Sequence, residues 1–481
     1  MCPGCSTSTE VVLSAAFFWL LSGATFLLFA RRYFTTSISL LGSFVYLLLP
    51  YHLWMDWFIR QAIGEFAGFA FLPLIAFGVE SIRCREKHGW TVALGVAGLV
   101  LCHLPTMLIA AHVFLIILLA LAIQKWRMGE AFGTFLVSIC GWVLLGVLMT
   151  SFYWIPALVL LDTVSPNILF SGFFEASNWL WGTASRSPDP ETSRILLSAF
   201  LVTLPTVVLS LVYARGSLLA WIAIPIALTV FMNAWVSASI WNSWIIQKVQ
   251  FPWRFLVFSD FSASVAVMAV FSGVAVRSRS KLAITLFFMA LAPFYKIAQP
   301  SAQVIMAGFD DTSLPYGGIE YLSPETKDAI EQRFNITLSH KKHVLVAPEI
   351  LDLMAIDVRK QVPAEITIDS ASRSYVIGNA SDQQKLVLPI QYWKFWTGHL
   401  DDGTTVQLSA NSDFGVIEVL APEQGFNGQA IHLTLPYHIS EKIGLVLSFG
   451  SIAVFAFLIG AARRRRRQSA IGSDKDLQHI Q

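Results

Sequence analysis

Residues 51–74 read YHLWMDWFIRQAIGEFAGFAFLPL, and this stretch passes from a polar, tryptophan-containing beginning into an apolar run. Asp56, Arg60 and Glu65 lie before that run or at its start. A helix needs about 20 apolar residues to cross the hydrocarbon core of a bilayer, and residues 62–80 approach that length. The stretch therefore predicts a membrane-spanning helix with ionisable side chains at its entrance.

The composition of the whole chain also predicts a membrane protein. Its 481 residues are 55% hydrophobic and 13% charged, whereas soluble proteins carry roughly 25% charged residues. The formal net charge is +2, with no basic patch outside the loops and the C-terminal tail, so no nucleic-acid partner is predicted. Cys2 and Cys5 form a CxxC pair, but no second pair or neighbouring His completes a zinc set, and no metal ligands are predicted.

The hydropathy pattern predicts a polytopic α-helical membrane protein with about eleven transmembrane helices. The predicted spans are 11–30, 36–50, 62–80, 90–102, 105–123, 132–156, 195–213, 217–237, 254–276, 282–297 and 441–462.

The positions of Lys and Arg predict the orientation of these spans. If the spans alternate, the basic residues near their ends fall on one side, and that side is expected to be the cytoplasm. The N-terminus and residues 298–440 are then outside and the C-terminus is cytoplasmic, as in a multi-pass protein of a bacterial inner membrane. The basic residues are Arg31, Arg32, Arg83, Arg85, Lys87, Lys125, Arg127, Arg215, Arg277, Arg279, Lys281 and residues 463–467.

The chain divides by composition into four parts. Residues 1–297 are predicted to form the transmembrane helical domain. Residues 298–440 show short alternating runs separated by DDG, NSDFG and EQGFNG, which predicts an external β-sandwich after a short helix in SPETKDAIEQRF. Residues 441–462 form the last predicted span, and residues 463–481 form a basic cytoplasmic tail that anchors it.

A first group of candidate site residues surrounds the opening stretch. Asp56 and Arg60 are separated by four positions and would share one helix face if this segment is helical. Arg60 and Glu65 are about 140° apart on a helix and do not form an ideal pair. A shallow Glu65 could simply reach water, but an ionisable group within a membrane is also a candidate for function.

A second group lies in QKVQFPWRFLVFSDFSASV, residues 247–265. Gln250 and Arg254 stand at the entrance of the next helix, and Asp260 lies about two turns deeper. His103 occupies a turn between two spans. Arg254 could be an interfacial residue with its head group in water. The alternative is one outward-facing cavity formed with Arg60 and Glu65, in which two guanidinium groups bind a phosphate.

The outer loops also collect tryptophan. Two interpretations remain open: an interfacial aromatic belt, and a platform for a lipid-linked sugar. The residues are Trp54, Trp57, Trp179, Trp181, Trp241, Trp244 and Trp253.

Two motifs carry a resemblance to a known family. LPYHLWMDWFIRQAIGEFAGFAFLPL (49–74) and VQFPWRFL (249–256) resemble the motifs APYH…RGAxxEFxAFAxxPL and QFPWRFL. These belong to bacterial membrane proteins labelled 6-pyruvoyl-tetrahydropterin synthase-related, which are similar to YfhO-like proteins and to the GT-C class of polytopic glycosyltransferases. The resemblance covers most of residues 11–460 and includes YWKFWTGHLDDGTTVQL (392–408). Gln61 stands where the family motif has Gly.

The resemblance implies a transferase that takes a sugar from a polyprenyl-phosphate donor on the outer face, with membrane lipids as its other partners. In that class an acidic residue of the first external loop acts as base or metal ligand, so a divalent metal is left open. We expect residues 1–481 to lack the first span and first external loop of the class, either because the native chain begins upstream of Met1 or because the catalytic loop was lost, and we then expect little transferase activity. Asp56 is the remaining candidate base, although its expected ion pair with Arg60 makes it a poor one. The alternative is a non-catalytic protein that binds or helps to export a lipid-linked glycan.

Overall fold

The computed structural model describes residues 7–164, 170, 172–182, 187–307, 324–334, 365–369, 373–378, 385–413 and 415–478. The chain divides into two compact units, each of which is described separately below. The first unit is helical and comprises Met1–Trp154, Ala176–Asp311 and Gly444–Gln481. The second comprises Ile155–Glu175 and Thr312–Ile443 and contains all the described strands.

The described helices follow the predicted spans closely. They are α1 (Thr7–Ala30), α2 (Thr36–Leu48), a π-helix (Pro50–Ile59), α3 (Ile63–Gly68), α4 (Phe71–Arg83), α5 (Trp90–Cys102), α6 (Leu104–Arg127), α7 (Phe132–Met149), α8 (Ser151–Val159), α9 (Pro190–Tyr213), α10 (Ser217–Asn233), α11 (Ala238–Trp241), α12 (Leu256–Gly273), α13 (Arg279–Ala307), α14 (Pro324–Phe334) and α15 (Ile439–Gln478).

The helical unit is compatible with a polytopic membrane protein. Within the described ranges, nine helical segments are long and apolar enough to cross a membrane, and α5 and α10 are shorter apolar helices. Large apolar side chains are exposed on α7, α13 and α15, including Val137, Phe287 and Phe457. An apolar surface of this kind suits a lipid environment, because lipid tails are as apolar as these side chains.

Small residues allow close packing of α4 against α5. A Cβ atom at Gly78 would lie 2.6 Å from Thr91 Oγ1 and 2.8 Å from the Val92 nitrogen. A Cβ atom at Gly95 would lie 3.0 Å from the Ile75 nitrogen. These two glycines therefore let the backbones approach, as small residues do between membrane helices.

Two predicted boundaries differ from the structure. The predicted external loop 51–61 is largely the π-helix Pro50–Ile59, whose residues Tyr51, His52, Met55, Asp56 and Trp57 are buried. Proline is favoured at the first position of a helix, where its missing N–H costs no hydrogen bond, and Pro50 begins this one directly after α2. The predicted span 132–156 is divided at Thr150 between α7 and α8.

The second unit contains antiparallel strands, as predicted, including Ser374–Gly378, which none of the predicted runs covered. They are β1 (Glu365–Asp369), β2 (Ser374–Gly378), β3 (Lys385–Gln391), β4 (Thr397–Leu400), β5 (Thr405–Ala410), β6 (Val416–Leu420) and β7 (Ile431–Thr434). The helix predicted in SPETKDAIEQRF is α14.

The seven strands form one curled sheet in the order β1-β2-β7-β4-β5-β6-β3, where separate facing sheets were predicted. The reason is β5, because Thr405 and Val406 pair with β4, whereas the following residues, from Gln407 to Ala410, pair with β6. A strand that changes partner in this way forms a corner between two parts of a sheet. The core uses alternate positions such as Ile431 and Leu433 of β7.

Candidate functional site

The helical unit brings five of the polar side chains near the two sequence motifs into direct contact. We call Tyr51, Asp56, Arg60, Glu65 and Arg254 the charged cluster. The π-helix supplies Tyr51 and Asp56, and the residue after it supplies Arg60. Glu65 lies in α3, and Arg254 lies in the short 3₁₀ segment Pro252–Phe255 before α12.

Arg60 is held by two carboxylates and a phenol. Its Nη1 lies 2.6 Å from Asp56 Oδ1, 3.0 Å from the Tyr51 hydroxyl and 3.2 Å from Glu65 Oε2. The Asp56–Arg60 contact follows the predicted four-residue spacing. The pairing of Arg60 with Glu65 was not predicted, and it arises because the chain turns between the π-helix and α3.

Gln61 makes this turn with a backbone φ of +52°. This left-handed region favours glycine, since a Cβ atom is strained there. The conformation gives a physical reason for the Gly that the resembling motif carries at this position. Because of this turn, Glu65 does not continue the helix that ends at Arg60, and the Glu65 carboxylate can reach the Arg60 guanidinium.

Glu65 is the centre of the charged cluster and is 1% exposed. Its Oε1 accepts a hydrogen bond of 2.6 Å from the Tyr51 hydroxyl. Its Oε2 lies 3.2 Å from Arg60 Nη2 and 3.4 Å from Arg254 Nε. A buried carboxylate requires such partners, because the cost of removing it from water is otherwise uncompensated. Glu65 therefore does not reach water, contrary to the shallow interpretation.

Gln250 orients Arg254. Arg254 Nη1 donates to Gln250 Oε1 at 2.7 Å and to the Val249 carbonyl at 2.6 Å. Gln250 itself adopts a φ of +69°. The neighbouring Trp253 ring stacks on Phe251 with 4.0 Å between ring centroids. Arg254 is 7% exposed, so it is a buried cation and does not extend into solvent as an interfacial residue would.

Asp260 and His52 lie beneath the charged cluster and connect α12 to the π-helix. Asp260 Oδ2 accepts a hydrogen bond of 2.9 Å from the backbone nitrogen of His52, and both residues are buried. The His52 ring stacks on Phe69 at 4.0 Å. Asp260 was predicted to face the same cavity as the arginines, but its described partner is the backbone of the π-helix. It therefore helps to hold that helix in position.

His103 caps the start of α6 beside the charged cluster. Its Nδ1 accepts a hydrogen bond from the Thr106 nitrogen at 3.3 Å and lies 2.7 Å from Thr106 Oγ1. Burial, followed by the positive charge of Arg254, lowers the pKa of His103 from 6.5 to about 3, and Glu65 only partly opposes this shift. The imidazole is consequently neutral near pH 7 and supplies no charge for a phosphate.

This lowered pKa predicts a loss of stability in acid. Because the folded-state pKa lies below the unfolded one, the contribution of His103 is complete above pH 6.5 and decreases as pH falls toward 3, by about 1.4 kcal/mol per unit. His103→Asn retains a capping acceptor. Between pH 7 and pH 5 we expect its free energy of unfolding to fall by about 2 kcal/mol less than that of the wild type. Denaturant unfolding at both pH values measures this difference. Equal losses in the two proteins would contradict it.

Several buried polar atoms at the site lack a hydrogen-bond partner. Within the described part of the chain they include His52 Nε2, Asp56 Oδ2, Trp253 Nε1 and Arg254 Nε, the last with only the 3.4 Å ionic contact to Glu65. Buried polar atoms are nearly always satisfied in proteins, so such a group calls for a water, an ion or a ligand. Sequence reasoning missed the roles of Tyr51 and His52, although both belong to the first motif.

Two further findings concern the chemistry of the site. Within the described ranges, no group of three or more His, Cys, Asp or Glu residues is arranged to hold a metal ion. Comparison with family models, curated proteins and solved structures gave no match to this chain.

Proposed function

We propose that this protein binds the phosphate of a polyprenyl-phosphate-linked sugar at the charged cluster. The eleven apolar helices cross a bacterial inner membrane in this proposal, with the cluster and the strand-rich unit toward the outer face and the C-terminus in the cytoplasm. The one-sided distribution of Lys and Arg supports this orientation. The two sequence motifs that carry the family resemblance supply all five residues of the cluster.

The observation that carries the proposal is a pair of buried donors without a hydrogen bond on adjacent residues, of which Arg254 Nε has only its 3.4 Å ionic contact with Glu65. Trp253 Nε1 and Arg254 Nε are buried in one short segment, and neither donates a hydrogen bond to a described residue. Phosphate oxygens accept such hydrogen bonds, and guanidinium groups bind them strongly. Arg60 is the less suitable ligand, because Asp56, Tyr51 and Glu65 already occupy it.

The sequence alone predicts little transferase activity, but from the unpartnered Asp56 Oδ2 we further propose GT-C-like sugar transfer with Asp56 as general base. Asp56 Oδ1 is bound to Arg60, and its Oδ2 has no partner among the described residues. In this reaction Oδ2 takes the proton of an acceptor hydroxyl, and the hydroxyl oxygen bonds to the anomeric carbon. The bond from that carbon to the donor phosphate oxygen breaks, and its electron pair remains on the phosphate, whose charge Arg254 stabilises.

A non-catalytic binder of a lipid-linked glycan is the second candidate. It is favoured by the 2.6 Å contact of Arg60 with Asp56, because one of the two carboxylate oxygens of the candidate base is already engaged. Both candidates require the same phosphate site. They differ only in whether bound donor is consumed.

The phosphate site is tested by Arg254→Lys. A lysine retains the positive charge but loses the planar, multidentate donor geometry. We expect the affinity for a polyprenyl-phosphate analogue in detergent to fall by about 1.5–3 kcal/mol, the usual value of a hydrogen bond to a charged group. Isothermal titration measures this change, and circular dichroism checks the fold of the variant.

The matched control is Arg215→Lys. Arg215 lies between α9 and α10, where its Nη1 contacts only the carbonyl of the preceding Ala214 in the described structure. We expect this variant to bind the analogue as the wild type does. Equal affinities of Arg254→Lys and wild type would refute the assignment of Arg254.

A further inference from the structure

Two cavities are bounded in part by α4, α6 and α7, away from the charged cluster. An apolar cavity of about 400 Å³ is bounded by α4, α5, α6 and α7, with Val79, Val96, Leu115 and Leu144 among its lining residues. Leu115 and Leu144 are 55% and 59% exposed, so the cavity opens onto the outer surface of the helical unit. Such an opening would give lipid chains access from the side.

A polar cavity of about 450 Å³ also contacts α7 and is lined by Arg85, Lys87 and Lys125. Ser138 and Trp142 of α7 face this polar cavity, whereas Ile139 and Val143 face the apolar one. Between Ser138 and Val143, neighbouring residues of α7 therefore line different cavities. We call the two spaces together the α4–α7 cleft.

On α4 and α6 the lining residues also change from the apolar cavity to the polar one along the helix. On α4 the apolar cavity is lined by Ile75 and Val79 and the polar one by Ile82, nearer the end of that helix. On α6, residues from Met107 to Leu118 line the apolar part, and Lys125 lines the polar part. The polar part therefore lies where the helices carry Lys and Arg, and the apolar part extends toward the membrane interior.

The polar part has two exposed cations, Arg85 and Lys87, of which Arg85 also has an electrostatic interaction with Glu130. Lys125 is paired with Glu130, and Glu86 is paired with Arg32. Arg85 and Lys87 are exposed, and within the described ranges their side chains form no ion pair or hydrogen bond. An anionic group placed there would lie near these two cations, while an apolar chain attached to it would enter the apolar cavity.

We propose that the α4–α7 cleft binds an anionic phospholipid. Its phosphate lies against Arg85 and Lys87, and one acyl chain occupies the apolar cavity. The Lys- and Arg-rich ends of membrane helices usually lie at the cytoplasmic leaflet, where anionic lipids are attracted to basic groups. This site is separate from the charged cluster: His103, which caps the start of α6, lies beside the cluster, and α6 is 24 residues or about 36 Å long.

The head-group contact is tested by the double variant Arg85→Gln/Lys87→Gln. Binding of phosphatidylglycerol to the full chain in neutral detergent is measured by native mass spectrometry, with phosphatidylcholine of the same chains as reference. We expect the double variant to lose about tenfold or more in phosphatidylglycerol affinity and to bind phosphatidylcholine unchanged. Glycerol phosphate without acyl chains should not bind the wild type, which distinguishes a lipid from a free phosphate.

The matched control is Arg31→Gln/Arg127→Gln, which removes two exposed cations from the same ends of the helices but outside the cleft. The affinity of this control for phosphatidylglycerol should fall no more than about threefold, because only the long-range attraction is reduced. Equal losses in both double variants would overturn the proposal in favour of a general surface potential. Tight binding of glycerol phosphate alone would also overturn it.

The acyl-chain contact is tested by a second pair of variants on α7. Val143 lines the apolar cavity, whereas Val137 is 73% exposed and does not line it. Val143→Trp fills the cavity and should reduce phosphatidylglycerol affinity at least about tenfold, whereas Val137→Trp should have no effect. Thermal unfolding checks that both variants remain folded. Unchanged binding by folded Val143→Trp would exclude the apolar cavity as the chain site.

Discussion

Glu65→Ala is expected to destabilise the helical unit by about 3–5 kcal/mol, the cost of removing one partner from a buried ion pair. Glu65 contacts Arg60, Arg254 and the Tyr51 hydroxyl from an almost fully buried position. Without the carboxylate, Arg254 would keep only its hydrogen bonds to the Val249 carbonyl and to Gln250. The free energy of unfolding in mixed micelles, obtained from denaturant titration, measures this loss.

Glu86→Ala is the matched control for this prediction. Glu86 is also paired with an arginine, Arg32, but its side chain is 39% exposed. Exposed ion pairs contribute about 0–1 kcal/mol, so the control should lose little stability. If the two variants lose the same free energy, the charged cluster is not the buried electrostatic centre described above.

Asp56→Asn is expected to reduce sugar transfer by about 10²- to 10⁴-fold, the usual contribution of a general base. The amide retains an oxygen that accepts the hydrogen bond from Arg60, but its nitrogen cannot take a proton from an acceptor hydroxyl. Affinity for the donor should change much less than turnover, since the proposed phosphate ligand is Arg254. Turnover of a labelled polyprenyl-phosphate sugar and binding of its unreactive analogue measure the two effects separately.

Asp162→Asn is the control, because Asp162 is an exposed acid in the short 3₁₀ helix Leu161–Thr163. Its turnover should match that of the wild type. Equal turnover in Asp56→Asn and wild type would remove Asp56 from the reaction. Tight donor binding with no turnover in the wild type would instead support the non-catalytic binder, and the role of Arg254 would remain testable by affinity.

Local periodicity was sufficient to locate most elements. Most predicted spans coincide with one apolar helix, whereas 62–80 and 132–156 are each divided between two, because burial in lipid or among helices selects long runs of apolar residues but does not fix where a helix is interrupted. The strands of residues 365–434 other than β2 were predicted from alternation, since successive side chains of a strand point to opposite faces. The Asp56–Arg60 pair could also be predicted, because four residues bring two side chains to the same face of a helix.

The pairing of Arg60 with Glu65 shows where local reasoning ends. It depends on the left-handed conformation of Gln61, a residue that rarely adopts it, so the helix could not be assumed to break there. The seven-stranded sheet offers a second case. Alternation predicts that β5 is a strand, but only the packing of the core makes its two halves pair with different neighbours.

The sequence by itself therefore determined which segments are apolar helices, which are strands, and which two motifs carry the ionisable groups. Only the tertiary structure decided that Glu65 meets Arg254 and that Asp260 holds the backbone of His52. The physical reason is the range of the interactions. Helix and strand periodicity acts over a few residues, whereas these contacts join segments far apart in the chain and form only when α12 packs against the π-helix.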